Sequence, residues 1–463
     1  MTDLTRRQAL ATATAGTLAA AAATGVSAGP GRPPEPPPAS PLSSMLLNRA
    51  RATAEMEKAG VAAIVAAAPQ NIFYLTTHYP VLARMGVART AYAILPRDER
   101  LKPILTIGQF SAYYTAADDS LEEHAEIRLY TAPAEADAYA ALGHERLWAA
   151  DLAAPGGLPA VHDAAPIALH ETKRRTMADP AGRALHATAE QALAVALRDL
   201  GLAGQTVAID DAALRPLMEA EGLACRTSDG EALLRRIRLQ KSPGELEIVR
   251  YAARANAEAG LSAAKAARAG AALKDVRREF VRHCAERDLT MEFMVIDRVA
   301  SRNYDGELKD GAAFMIDCVS HFHHYHGDYG RTIFIGEPTT HMRRATDAMS
   351  AVWTQVLEGL RPGLRYSDIR AAAARAARET QVEAAILCNP HSVGLHHTDE
   401  PGKPGRAYFD KDDLELVEGM VLSVDIPMID VGLGGSAHLE DLILITADGA
   451  ELLNAPGDHV VTV

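Results

Sequence analysis

The sequence predicts an α/β (α+β) protein of two domains, and three observations carry that expectation. Residues 46–234 alternate helix-length stretches (46–59, 181–200) with short apolar runs (61–66, 91–94, 207–209), the pattern of helices packed on a sheet. The second half carries strand-like runs at Phe314 to Val319 and Thr332 to Ile335, and again around Asp425 and Glu440. It also holds a faint internal repeat: Gly270 followed by Lys274-Asp275-Val276-Arg277 returns as Gly363 followed by Ser367-Asp368-Ile369-Arg370. Each copy marks the end of one helix and the start of another, ahead of a β region. Composition is 48% apolar, and the roughly 420 residues beyond the amino-terminal segments suffice for two cores.

The elements follow in chain order. Thr5-Arg6-Arg7-Gln8-Ala9-Leu10 precedes an uncharged Ala/Thr-rich stretch ending in Val26-Ser27-Ala28. Residues 1–28 therefore read as a twin-arginine export signal with a small-residue cleavage site, although Ala9 stands where such signals often have Phe. The expected location is periplasmic or extracellular. Residues 29–44 are a linker, with seven prolines between Gly29 and Pro41 that favour an extended tether. The first domain is expected over 45–236 and the second over 237–463. Asn71 to Tyr74 and Thr76 to Tyr79 read as the end of a strand, where Tyr74, His78 and Tyr79 either pack or reach a substrate. Ser242-Pro243 opens a helix to about Arg268, with Ser as N-cap and Pro in the first turn.

Net charge is −13, which argues against nucleic acid or an anionic membrane as partner, and no run after the signal reaches membrane-spanning length. Cys225, Cys284, Cys318 and Cys388 have no paired metal spacing, and no structural disulfide is expected.

The chemistry concentrates in the second domain. Asp317 and Asp328 lie in an apolar run broken by a polar turn and followed by a second β-rich run, a predicted hairpin with Asp317 inside the first strand and Asp328 at the start of the second. A carboxylate within so apolar a strand is costly unless paired or bound to a cation. Asp425 and Glu440 interrupt two further strand-like runs, and His391 opens a segment containing Gly394. Four carboxylates would balance two divalent cations held about 3.5–4 Å apart, an arrangement that serves attack on carbonyl or phosphoryl centres. No cysteine belongs to the set, so Mn or Fe is favoured over Co or Zn. His321, His323, His324 and His326 crowd the predicted turn, either as a solvated loop or as pocket lining. His396 and His397 follow His391. Alternation in an extended segment puts His397 on the same side as His391, which makes it the favoured acid/base candidate. His396 is a substrate-binding candidate. Asp399 is a second acid/base candidate, and its T-D-E-P context reads equally as a turn.

Taken together, Asp317-x10-Asp328, His391-Ser-Val-Gly394, Gly419-Met-Val-Leu-Ser-Val-Asp425 and Leu439-Glu440-Asp441 resemble the pita-bread metallohydrolases. That superfamily includes methionine aminopeptidase, prolidase, aminopeptidase P and creatinase. The resemblance covers roughly Leu46 to the carboxyl end. It implies a creatinase-like amino-terminal α/β domain followed by a pita-bread catalytic domain with an internal pseudo-twofold repeat. It further implies two divalent ions on Asp317, Asp328, His391, Asp425 and Glu440, and a homodimer acting on a small molecule or short peptide.

This sequence departs from the family pattern at four places. Thr398 stands where prolidase-like peptidases carry a substrate-contacting His, and Leu387 stands where aminopeptidase P has one. Ala300, Ser301 and Asn303 occupy the region of a third. Asp425 is one methylene shorter than the usual Glu. The leading expectation is a dinuclear-metal hydrolase of an amide or peptide bond. A metal-dependent lyase or non-peptide hydrolase on a small metabolite is the runner-up, and a non-catalytic binding protein is the third reading.

Overall fold

The computed structural model describes residues 37–38, 42, 44–109, 111–112, 123–131, 186–402, 411–428, 435–454 and 457–463. The expected export signal and most of the linker lie outside them. The first half builds a six-stranded mixed sheet in the order β4-β3-β2-β1-β5-β6. Its strands are β1 (Ala63–Ala66), β2 (Ala91–Pro96), β3 (Ile104–Gly108), β4 (Glu126–Tyr130), β5 (Thr206–Ile209) and β6 (Arg226–Asp229). Helices α1 (Arg49–Ala59), α2 (Pro69–Thr76), α3 (Ala189–Asp199), α4 (Leu214–Ala220) and α5 (Gly230–Arg238) accompany them. β1 and β2 are buried throughout, as their unbroken apolar runs require.

Helix α2 corrects the sequence reading, which made Asn71 to Tyr74 the end of a strand. Pro69 sits in its first turn, and Thr77 ends it at φ 61°. Its free amino end is capped from far along the chain. The Asp210 carboxylate accepts from the Ala67 and Ala68 amides at 2.7 and 3.1 Å and from the Asn71 side chain at 2.8 Å. A carboxylate at a helix amino end is favourable, and one 140 residues away leaves no local signature.

The second half builds an eight-stranded sheet around the path β10-β11-β12-β9-β8-β7. Its strands are β7 (Thr290–Ile296), β8 (Ala313–Phe322), β9 (Tyr325–Phe334), β10 (His391–Ser392), β11 (Val421–Met428) and β12 (Ala437–Ile445), with β13 (Ala450–Leu452) beside β12 and β14 (Val460–Thr462) beside β9. Two helix pairs lie with it: α6 (Pro243–Ala264) with α7 (Leu273–Ala285), and α8 (Thr340–Gly359) with α9 (Tyr366–Glu379). Ser242 is the N-cap of α6 as expected and closes a capping box with Glu245, and the helix ends at Ala264, short of Arg268.

The repeat seen in sequence is mirrored in hydrogen bonds. Gly270 (φ 85°) donates to the Leu308 carbonyl, and Gly363 (φ 88°) donates to that of Leu416. Leu273 and Tyr366 then donate to Gly306 and Leu414. Both glycines hold a left-handed backbone that other residues rarely adopt.

The hairpin of β8 and β9 is longer than its apolar residues suggested. Ala313 pairs with Phe334 at one end and Phe322 with Tyr325 at the other, leaving His323 and His324 as a two-residue turn at φ 44° and 68°. Such a turn matches the twist of the flanking strands. His321 and His326 are therefore a cross-strand pair, and Asp328 is inside β9 instead of at its start.

Candidate metal centre

Register places the acids. Asp317 pairs with Gly330, Gly330 with Glu440, and Glu440 with Asp425, so one row runs across four strands. Asp328 lies two residues from Gly330, and Ser423, two residues from Asp425, pairs with His391. Residues two apart share a face of a sheet, so all five expected ligands face the same way.

Their side chains converge. Ligand atoms lie within 4.8 Å of one another in three groups: Asp328, His391 and His397; Asp317, His438 and Glu440; His391, Asp425 and Glu440. Asp328 is fully buried and Glu440 2% exposed. His391 Nε2 stands 3.7 Å from Asp328 Oδ2 and 3.8 Å from Glu440 Oε1. Ser423 Oγ donates to Glu440 Oε1.

The donor set fits cations on a direct test. Oδ1 of Asp328 and Oδ1 of Asp317 are buried with no hydrogen-bond partner, a state that buried polar atoms otherwise avoid. Burial, followed by the charges of neighbouring carboxylates, pushes the Asp317, Asp328 and Asp425 carboxyls above their usual range. Burial opposes ionisation of Glu440 too, but the His391 hydrogen bond and the His438 charge bring it down to about 2. A cluster in which acids repel and imidazoles alone compensate is one that divalent ions would relieve.

His438 was missed in the sequence reading. It sits two residues before Glu440, on the same face, 2% exposed, with Nε2 2.8 Å from Asp425 Oδ1 and 3.4 Å from Glu440 Oε2. Its spacing of two from Glu440 in a strand-like run would have found it. Gly330 makes its room: a Cβ there would come within 2.5 Å of the His438 ring.

His397 Nε2 lies 3.0 Å from Asp328 Oδ2, and its ring centroid is 4.9 Å from that of His391. His396 and His397 line a cavity of about 210 Å³ with Gln70, Glu292, His321 and His326. His324 borders it as well, so His321, His324 and His326 are pocket lining, whereas His323 is exposed at the turn. Burial and then the charge of His321 depress His324 to about 3 and His326 to about 4, so both are neutral at pH 7.

Two other candidates are corrected. Asp399 is fully buried in a two-toothed ion pair with Arg238, whose Nε and Nη2 approach Oδ1 at 3.1 and 2.8 Å. Burial opposes its ionisation, yet the Arg238 charge and hydrogen bonds hold the carboxyl far below its usual range, so it moves no proton near neutrality. Tyr74 is fully buried, accepts from the Asn48 amide at 3.2 Å and lies under the Arg238 guanidinium, in the core and away from the cavity. His78 is 4% exposed and lines none of the cavities beside the hairpin. Tyr79 stacks on His324 with centroids 3.9 Å apart and reaches the pocket only through it.

Residues 247–447 match the sequence profile of Metallopeptidase family M24. The second half thus carries a Metallopeptidase family M24 domain. The chain is 29% identical over 160 residues to a probable dipeptidase PepE of Mycobacterium tuberculosis, covering 34% of this chain and 41% of that protein. It is 27% identical over 150 residues to an Xaa-Pro dipeptidase of Pyrococcus furiosus, 32% of this chain and 41% of that one. These curated relatives are thus matched over less than half their length. Among solved structures, dipeptidase PepE from Mycobacterium ulcerans superposes with TM-score 0.59 at 20% identity, over 90% of this chain and 97% of the other. A dipeptidase from Pyrococcus horikoshii gives 0.62 at 13%, over 90% and 99%. At these identities the superpositions establish the shared pita-bread fold, including the amino-terminal α/β domain.

Proposed function

We propose that this pita-bread protein is a dinuclear-metal hydrolase of short peptides, a dipeptidase in type. The observation that carries the reading is the convergence of three carboxylate–imidazole groups on one sheet face, beside a small imidazole-lined cavity. When bound, a pair of divalent ions, Mn or Fe by the oxygen-rich donor set, supplies Lewis-acid polarisation of the scissile carbonyl and a nucleophile at neutral pH. Asp317, Asp328, His391, Asp425 and Glu440 would hold them.

His397, 34% exposed at its side chain, can take up a proton at Nε2 and hand it to a leaving amine. Neutral His324 and His326 offer hydrogen bonds without adding charge. The cavity, about 210 Å³, is below the roughly 300–1,000 Å³ of drug-sized sites, which suits a dipeptide. Leu387 is 62% exposed, and Ser301 and Asn303 are exposed as well. The imidazoles that prolidase-like patterns place near these positions have no counterpart there, so non-proline dipeptides are the preferred substrates.

The test is turnover of Ala-Ala, Leu-Ala, Ala-Pro and Gly-Pro by Mn- and Fe-loaded protein after chelation and reloading. Hydrolysis of the first two is expected, with X-Pro substrates at least tenfold slower; activity that persists without metal would sink the reading. Removing the His397 imidazole should cost about 10²–10³ in rate. The proposal extends to export. Arg6→Lys/Arg7→Lys should strand the protein in the cytoplasm on fractionation, whereas unchanged export would remove that part alone.

A further inference from the structure

We infer that His438 is itself a metal ligand, so that each of the two metal positions takes one imidazole: His391 at one and His438 at the other. The inference rests on reading this site as a metal centre and concerns what this chain adds to the five expected ligands.

Geometry supports it first. Metal–nitrogen and metal–oxygen bonds of about 2.0–2.2 Å place neighbouring ligand atoms roughly 3–3.4 Å apart. His438 Nε2 lies 2.8 Å from Asp425 Oδ1 and 3.4 Å from Glu440 Oε2, and its ligand atom falls within 4.8 Å of one on Asp317. The Glu440 separation matches such a spacing and the Asp425 separation is slightly shorter, so His438 Nε2 is within reach of a cation that Asp317 and Glu440 would hold. Asp317 Oδ1, on that side, has no protein partner.

The surroundings aim the ring there. The His438 amide donates to Thr332 Oγ1 at 2.9 Å, and its carbonyl accepts from the same hydroxyl at 3.2 Å, fixing the strand at this residue. Opposite the ring, Gly330 leaves room for it, since a Cβ would touch Cε1 and Nδ1 at 2.5 Å. On that edge the ring meets Asp425, whose side chain is one methylene shorter than the expected Glu.

A nitrogen donor changes what the position prefers. Carboxylate-only positions suit manganese, whereas imidazole suits iron and zinc. The Asp317 position should therefore favour iron over manganese more strongly than oxygen donors alone would.

The experiment titrates metal-free full-length protein with Co(II), a spectroscopic stand-in for Fe(II), and follows visible absorption and bound equivalents. Pulsed EPR of the Mn(II)-loaded protein counts coupled imidazole nitrogens. His438→Gln keeps a side chain able to hydrogen-bond Asp425. If His438 is a ligand, one of two Co(II) equivalents weakens tenfold or more and one nitrogen coupling disappears. If His438 only donates a hydrogen bond to Asp425, both equivalents and the nitrogen count stay as in the wild type, and the inference is overturned. Should His438→Gln fail to fold, His391→Gln/His397→Gln gives a second reading. Among the described residues, His438 is then the imidazole left in the three ligand groups, and nitrogen coupling must persist. Bound manganese without that coupling overturns the inference. A wild-type protein that takes up no Co(II) defeats the metal-centre reading instead, which is a separate failure.

Discussion

Glu440 and Asp441 are neighbours in one strand, both buried, yet they point to opposite faces of the sheet and meet opposite fates. Asp441 is neutralised by Arg331 at 2.9 and 3.0 Å, and that guanidinium also lies 4.1 Å above the Tyr329 ring. On the other face, Glu440 shares space with Asp317, Asp328 and Asp425, and among the described residues no arginine or lysine answers them. Asp399, paired with Arg238, is of the Asp441 kind. Buried acids that protein cations satisfy hold structure together; buried acids left to imidazoles and to each other wait for a cation from solution. Burial and sequence context look alike in the two cases, so the counter-charge is what distinguishes them.

Substitutions should divide along that line. The largest effect is expected from Asp328→Ala: loss of most bound metal by elemental analysis, and of activity by three orders of magnitude or more. The metal-free variant should melt no lower than the metal-free wild type, because a repelling buried carboxylate has gone. A clearly lower melting temperature would place Asp328 with the structural acids. Asp399→Asn should behave in the opposite sense, costing about 3–5 kcal/mol in urea unfolding because it strands Arg238 in the core. A loss below 1 kcal/mol would break the distinction from the other side.

Next in size is the pH dependence. Asp317, Asp328 and Asp425 have raised carboxyls in the metal-free fold. Their contribution to stability is therefore present below the unfolded value near 4 and is lost as pH rises through the folded values. Asp399 has a depressed carboxyl, so its contribution is present above about 4 and lost as pH falls further. Metal should accordingly raise the melting temperature more at pH 8 than at pH 5, and binding should release protons measurable by calorimetry in buffers of different ionisation enthalpy. Equal stabilisation at both pH values would contradict this. His324 and His326, depressed to about 3 and 4, add a loss of stability that begins as pH drops below about 6.5. His326→Gln should flatten the fall in melting temperature between pH 7 and 5. The smallest expected effect is that of Asp425→Glu, which should retain metal and tighten it by a few-fold on titration; complete loss of metal would show the pocket to be built around Asp.

The parts of this molecule that were legible in sequence are those where chemistry and period coincide. Acids interrupting apolar strands marked the row through Asp317, Glu440 and Asp425, and Gly270 and Gly363 marked the repeat because each needs a left-handed backbone. What escaped depended on distant partners. Asp210 caps α2 from 140 residues away, so Asn71 to Tyr74 looked like a strand. Arg238 claims Asp399 from 161 residues away, so a structural acid looked like a proton carrier. The His323–His324 turn lacks the Asn-Gly signal common for its geometry, which hid the length of β8 and β9 and the pairing of His321 with His326. His438 was readable from its spacing to Glu440 but carried no motif to draw attention.

Helix α5 lies between the two sheets, and two of its three arginines grip both sides. Arg238 holds Asn71 and Asp399, while Arg235 holds Glu231 and, at 2.8 Å, the Thr398 carbonyl beside His397. The loop carrying the proton-transfer candidate is thereby bolted to the amino-terminal domain by charges that cannot be exposed cheaply. Opening the cleft by swinging one domain from the other would tear that bolt. If the protein is the dipeptidase proposed above, a peptide too long for the pocket would meet an aperture held by these contacts, and selection by length would precede the chemistry.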